Sequence, residues 1–347
     1  MPNIHSDNDE PQYDYYCCDC DEGLIDDDAY HSDYDGEMRC SSCHDEHRYQ
    51  IEEAERERRG SDYIHDYGYR PDPNFLSDDG TQSYYVEYLD DRKDVTPLYM
   101  GMELEVEEVN DDSLHDGAEH VCSILNNGRE IVYLKEDGSL NHGFEIVSHP
   151  ATLGFYMNHF KWEALGGLRK MGYKAWNARS CGLHIHLSRS AFMNDRHLAV
   201  FIMFLYRNSG DMVKFAGRES SYAKWERSAL LNAYYEWDQD ELRSRELIPK
   251  FVKNGRRNSD RYTAVNLQNR NTIELRFFRP SLRPETVIAA LQMCDAIHQY
   301  TRDLTQRDMT LNSGLDIRSF RSWLNGKSDR YKLLNERIAL RLDPINQ

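Results

Sequence analysis

From Leu98 the hydrophobic and polar positions fall into regular patterns. LYMGMELEVEEV (98–109) alternates apolar and acidic residues, which predicts a strand with one buried face. IVYLKEDGSL (131–140), GFEIVSHP (143–150), GLHIHLSRS (182–190) and TIELRFFRP (272–280) read as further strands. Between them, TLGFYMNHFKWEALGGLRKMG (152–172) carries apolar residues at three- and four-residue intervals and predicts a helix. NDRHLAVFIMFLYRNS (194–209) opens on a capping-type Asn194 and bears a thick apolar band. RPETVIAALQMCDAIHQYTRDL (283–304) repeats that pattern with Pro284 in its first turn. Strands separated by helices, with hairpin-like spacing in places, point to α/β or α+β.

The flanks differ in texture. HDEHRYQIEEAERERRG (44–60) is highly charged and predicts a solvated helix ending at Gly60. A Tyr-, Pro- and Asp-rich stretch to about residue 97 reads as an extended connector, and no internal repeat is present. RSFRSWLNGKSDRYKLLNERIALRL (318–342) is basic and reads as helical, expected to pack on the domain. Hydrophobic residues make up 39% of the 347, with 23 Tyr and 12 Phe, enough for a real core. A net charge of −18 argues against a sequence-independent grip on nucleic acid, which needs clustered Lys and Arg. No apolar run approaches a membrane span, and the N-terminus lacks a secretory signal pattern, so cytoplasmic residence is the default expectation.

In a reducing compartment, close cysteine pairs indicate metal rather than disulfides. Cys17-x2-Cys20 and Cys40-x2-Cys43 are separated by 19 residues, a spacing that fits tetrahedral Zn²⁺ on four thiolates. Cys18 is then a bystander, with His31, His44 and His47 as reserve ligands. So small and acidic a segment has little core, so the metal is expected to supply its folding energy.

The larger constellation lies on the strands, where residues two apart share a face. Glu103, Glu105 and Glu107 fall on one face, with Met102, Leu104 and Val106 on the other. Taken alone, that is the solvent side of an edge strand. The geometry recurs, however, with His184, His186 and Ser188, and with Glu274, Arg276 and Phe278. Asp137 precedes a turn, and Glu145 lies on the strand after it. No packing requirement asks for such a set. Carboxylates with one or two imidazoles suit Mg²⁺ or Mn²⁺, which bridge polyphosphate oxygens. Arg261, Arg270 and Arg276 lie close in sequence to Glu274 and offer planar forks for phosphate. Neither GxxxxGK[ST] nor GxGxxG occurs.

GMELEVE, EDGSL…GFEIVSHP, CGLHIHLS, FAGRESSYAKW and RYTAVNLQNRNTIELRFFRPSL, in that order, resemble the amidoligase family. That family is often found in phages, which would make the location a host cytoplasm, and belongs to the glutamine synthetase / glutamate–cysteine ligase superfamily. The resemblance covers about 98–302. It implies an α+β fold with a curved, mostly antiparallel sheet of glutamine synthetase-like type and helices on the convex side. It also implies a two-step, ATP-dependent joining of a carboxylate to an amine through an acyl phosphate. Glu103, Glu105, Asp137, Glu145, His184 and Glu274 would hold Mg²⁺ or Mn²⁺, with Glu103, Glu274 and Arg276 catalytic. His186, Ser188, Arg261 and Arg270 would contact ATP, and Arg218 a substrate. The expected organisation is a zinc-ribbon-like module at 14–47, charged helix and connector at 48–97, catalytic domain at 98–302 and helical extension at 303–347. Two other readings stay open, a non-catalytic nucleotide- and zinc-binding adaptor and a metal-dependent hydrolase on the same floor. The carboxylate and amine substrates are not specified by these residues.

Overall fold

The computed structural model describes residues 13–32, 35–59, 63–85, 96–109, 114–176, 181–225, 262–310 and 313–343. The chain divides into two compact units, Met1–Ser61 and Asp62–Gln347.

In the first unit, β1 (Tyr15–Tyr16) pairs with β2 (Gly23–Leu24), and β3 (Ala29–His31) pairs with β4 (Met38–Cys40), both antiparallel. Helix α1 (Ser41–Arg59) follows at once. The core here is minimal: Cys17, Leu24 and Cys40 are buried, with Ala29 and Cys43 against them. Arg39 is buried too, and it is held by Asp19 at 2.7 Å and Asp35 at 2.8 Å.

The second unit is α+β. Its strands are β5 (Ile64–His65), β6 (Phe75–Leu76), β7 (Gln82–Ser83), β8 (Met100–Glu107), β9 (Val132–Lys135), β10 (Gly143–Ser148), β11 (Leu183–Ser188), β12 (Val265–Asn266) and β13 (Thr272–Phe278). Seven of them form one mixed sheet in the order β12-β13-β11-β8-β10-β9-β5. All neighbours are antiparallel except β5, which runs parallel to β9. An edge strand of the sheet therefore comes from the stretch expected to be a connector. The predicted alternation is realised on the central strands. Met102, Leu104, Val106, Phe144, Ile146, Ile185, Leu187, Ile273 and Leu275 join one core under the sheet, leaving the opposite face to the charged residues.

Helices cover that apolar face. They are α2 (Leu114–Leu125), α3 (Leu153–Asn158), α4 (Glu163–Lys170), α5 (Asp195–Arg207), α6 (Ser209–Ala216), α7 (Pro284–Arg302), α8 (Gln306–Thr310), α9 (Ile317–Asn325) and α10 (Lys332–Leu342). The single helix expected over 152–172 is two. The break comes where Phe160 is buried and its ring packs on Trp162, 4.4 Å between centroids. Asn194 caps α5 by accepting from His197 N at 2.9 Å, and Pro284 stands in the first turn of α7. Helix α7 is central, with Gln292 and Asp295 fully or nearly buried in it. Gln292 donates to Arg330 O at 3.0 Å and accepts from Leu334 N at 2.8 Å, while Tyr331 Oη donates to Asp295 at 2.7 Å. These bonds fasten the C-terminal helices onto α7. No helix among the described residues is long and apolar enough to cross a membrane.

Candidate functional site

The antiparallel register brings distant residues side by side on the polar face. His184 lies opposite Glu103, Glu145 opposite Glu105, His186 opposite Glu274, and Asn266 opposite Glu274. Between Leu183 and Ile185 the β11–β13 pairing is irregular, with Arg276 and Phe277 facing the single residue His184. That bulge breaks the period of two. Phe278, expected beside Arg276, is instead buried against Phe277 at 4.3 Å.

Two sets of ligand-type side chains result, Glu103–Glu145–His184 and Glu103–His186–Glu274, the ligand atoms of each lying within 4.8 Å of one another. Glu103 belongs to both. Its Oε2 is 3.3 Å from His184 Nδ1 and its Oε1 is 3.2 Å from His186 Nε2. His184 Nδ1 is also 3.7 Å from Glu274 Oε1. Supporting groups fix these side chains. Thr272 Oγ1 lies 3.1 Å from His186 Nδ1, Asn266 Nδ2 donates to Glu274 Oε2 at 2.8 Å, and Arg276 pairs with Glu274. Lys135 Nζ sits 2.9 Å from Glu145 Oε2, both nearly buried.

The electrostatics follow from crowding acids where water is scarce. Burial and then repulsion from Glu103 raise Glu145 to about 8, although Lys135 opposes this. Burial also raises Glu105. Burial alone would raise Glu103, but His186 and His184 outweigh it and hold that carboxyl well below its usual range. Burial would lower His186, yet Glu103 and then Glu274 lift it to about 9. Glu145 Oε2 and His186 Nε2 are buried without an aligned hydrogen bond, close as their charged neighbours lie. Closely set buried carboxylates with two imidazoles fit hard divalent cations.

The remaining expected residues lie around this floor. Glu105 accepts from Gly182 N and stands outside both sets. Asp137 accepts from Ser139 N at 2.7 Å in the turn after β9, near enough for its charge to act on Glu105. Ser188 Oγ accepts from Tyr99 N at 3.1 Å. Arg218 donates from Nη1 to Arg276 O at 3.3 Å and Phe278 O at 3.2 Å. Arg270 is exposed between β12 and β13, and Arg261 lies outside the described residues. Lys135, Asn266 and Thr272 join the floor without being among the residues the sequence patterns single out. Lys135 shared the alternating face of VYLK and was legible there, whereas Asn266 and Thr272 gain their roles only through register.

In the first unit, the sulfurs of Cys17, Cys20, Cys40 and Cys43 lie within 4.8 Å of one another, and Cys20 and Cys40 are 3.9 Å apart. A tetrahedron with Zn–S near 2.3 Å has edges of about 3.8 Å, so the cluster fits zinc. Burial would raise the Cys17 thiol, but the backbone at Cys40, Asp19 and Cys20 brings it down to about 6. Cys18 is exposed, its thiol directed to Asp19. His44 stacks on Tyr30 and His47 lies 3.5 Å from Asp35, both apart from the sulfurs.

The family described as "Putative amidoligase enzyme" matches residues 107–298, which run from the last residue of β8 into α7. No curated protein matches the chain significantly. Matched over more than half its length by that family's model, the chain belongs to that family.

Proposed function

We propose that the second unit is an ATP-dependent carboxylate–amine ligase of glutamine synthetase-like type. The observation that carries the reading is the pair of ligand sets sharing Glu103 on one polar sheet face. Such an arrangement suits two divalent cations, Mg²⁺ or Mn²⁺, with Glu103 common to both. When bound, those ions would screen the triphosphate charge. Glu274 would be kept as a ligand by Asn266 and Arg276, and Thr272 would fix the ring of His186. Arg276, flanked by Glu274 and the Tyr222 carbonyl at 3.4 Å, would stabilise charge on the transferring phosphoryl group. Arg270 and Arg261 would be further phosphate contacts, and Arg218 a substrate contact.

The chemistry balances in two steps. A substrate carboxylate oxygen attacks the γ-phosphorus, the bond to the β-phosphate oxygen breaks, and ADP leaves. The amine nitrogen then attacks the acyl carbon, the carbon–oxygen bond to phosphate breaks, and the amine loses a proton as the amide forms. The first unit would carry one structural zinc on its four cysteines.

The test is ADP release by purified protein with Mg²⁺, ATP and pooled carboxylic acids, amino acids, polyamines and peptides. Release that requires an amine, and falls at least about a hundredfold in Glu274→Ala, is the expected result. Amine-independent hydrolysis that proceeds without ATP would assign the floor to a hydrolase instead.

A further inference from the structure

Beyond the charged face, the second unit gathers arginines that the ligase floor does not use. Arg279 follows β13, Arg283 precedes α7, and Arg337 and Arg341 come from α10, outside the family match. Arg279 lies flat over Trp176, with Cζ 3.2 Å from the ring centroid, and Trp176 is 55% exposed. Arg341 approaches Gly217, its Cζ only 3.5 Å from where a Cβ there would stand. Arg337 is spent on the end of α6, donating to Phe215 O at 3.1 Å and Ala216 O at 3.3 Å.

The charged neighbours acting on Arg279 and Arg337 are other arginines. Burial and then Arg341 and Arg283 lower Arg279, while burial and then Arg341 and Arg279 bring Arg337 down to about 10. Among the described residues no ion pair joins Arg279, Arg283 or Arg341 to a carboxylate. The nearby Glu285, in the first turn of α7, is exposed and makes none with them. Arg341 Nε is buried without a hydrogen-bond partner. In a chain of net charge −18, arginines gathered with no carboxylate paired to them, one with a buried unpartnered Nε, call for an anion. The stack on Trp176 fixes the plane of one guanidinium in advance, and the start of the 19-residue α7 adds partial positive charge.

We propose that Arg279, Arg283 and Arg341 form an oxyanion-binding site for a phosphate or carboxylate group, with Trp176 as its platform. The site adjoins the ligase floor, because Arg218 bonds to Phe278 O, one residue before Arg279. On the ligase reading, and resting on it, the anion is a second acidic group of the substrate, which makes that substrate polyanionic. The C-terminal extension then completes specificity by supplying Arg341.

The full-length protein is titrated in divalent-free buffer with pyrophosphate and, separately, tricarballylate, following heat and tryptophan fluorescence. One of the two is expected to bind with steep salt dependence, and the tighter one names the chemical class. Arg279→Gln and Arg341→Gln should each weaken binding roughly tenfold. Arg283→Gln, at an exposed position that cannot disturb packing, should weaken it several-fold. Trp176→Phe should abolish the fluorescence change. Arg276→Gln, on the ligase floor, should leave the Trp176 fluorescence change in place and weaken binding less than Arg279→Gln does. No binding of either anion, equal affinity in Arg279→Gln and Arg283→Gln, or loss only in Arg276→Gln would overturn the site. Binding here without any ligase turnover would keep the anion site and remove only its link to a ligase substrate.

Discussion

Gly182 shows how closely single residues are constrained on the polar face. A Cβ there would stand 2.7 Å from His184 Nε2 and 3.0 Å from Arg218 Nη1, so both side chains would have to give way. Gly182→Ala should therefore cut ADP release tenfold or more through a displaced ligand, while the melting temperature moves little. An equal loss of folding would show that the glycine serves packing alone. Lys135 offers a complementary case, since it neutralises Glu145 where neither is wetted. Lys135→Met removes that partner and leaves Glu145 as a buried, protonated carboxyl short of a hydrogen bond, a change that costs about 1–3 kcal/mol. If Glu145 is a cation ligand, Mn²⁺ should restore much of that loss. Denaturation curves with and without Mn²⁺ that show the same deficit would argue against Glu145 as a ligand.

Elements carry their own titration and metal dependence. Helices α5 and α7 meet at two buried histidines with rings 4.7 Å apart, whose Nε2 atoms lie 3.0 Å from the carbonyls of His298 and Ala191 respectively. Burial, with the charge of His298 next, holds His197 down to about 3, and burial holds His298 to about 4. Both folded values lie below the ordinary 6.5. Their stabilisation is therefore complete above pH 6.5 and is lost as pH falls toward 4, because the unfolded chain takes up protons the folded one refuses. The slope is at most ~1.4 kcal/mol per pH unit for each ring. His298→Gln should flatten the pH dependence of urea unfolding between pH 6.5 and 4. An unchanged slope would place the titration elsewhere. In the cysteine unit, metal analysis should give about one zinc per chain. Its removal should unfold β1–β4, since among the described residues Leu24 is the one fully buried apolar side chain there besides the cysteines themselves. A metal-free protein with an intact fold there would refute the zinc site.

Legibility also varied by element. The strands around Glu103, Glu145, His184 and Glu274 are legible because each alternates through its charged residues, with apolar side chains such as Leu104, Ile146, Ile185 and Leu275 on the hidden face. The cysteine hooks could be read because metal geometry constrains their spacing. Period-two reasoning failed at Phe278, where a bulge resets the faces. It could not find β5, since two residues carry no period. Nor could it pair Asn266 with Glu274, because that contact comes from strand register.

Across the whole molecule, two kinds of site stand in separate units, a four-cysteine cluster and a carboxylate–imidazole floor. Soft sulfur ligands and hard oxygen ligands select different ions, so both kinds of metal can be held without exchange. The central claim is that Glu103 serves two cations on the ligase floor. It is tested without knowing the substrates, by counting Mn²⁺ bound in the presence of a non-hydrolysable ATP analogue, read by electron paramagnetic resonance. The wild-type protein should bind two, Glu145→Ala and Glu274→Ala about one each, and Glu103→Ala none at the same concentrations. Wild-type stoichiometry in Glu103→Ala would contradict the shared-ligand floor and the ligase mechanism built on it.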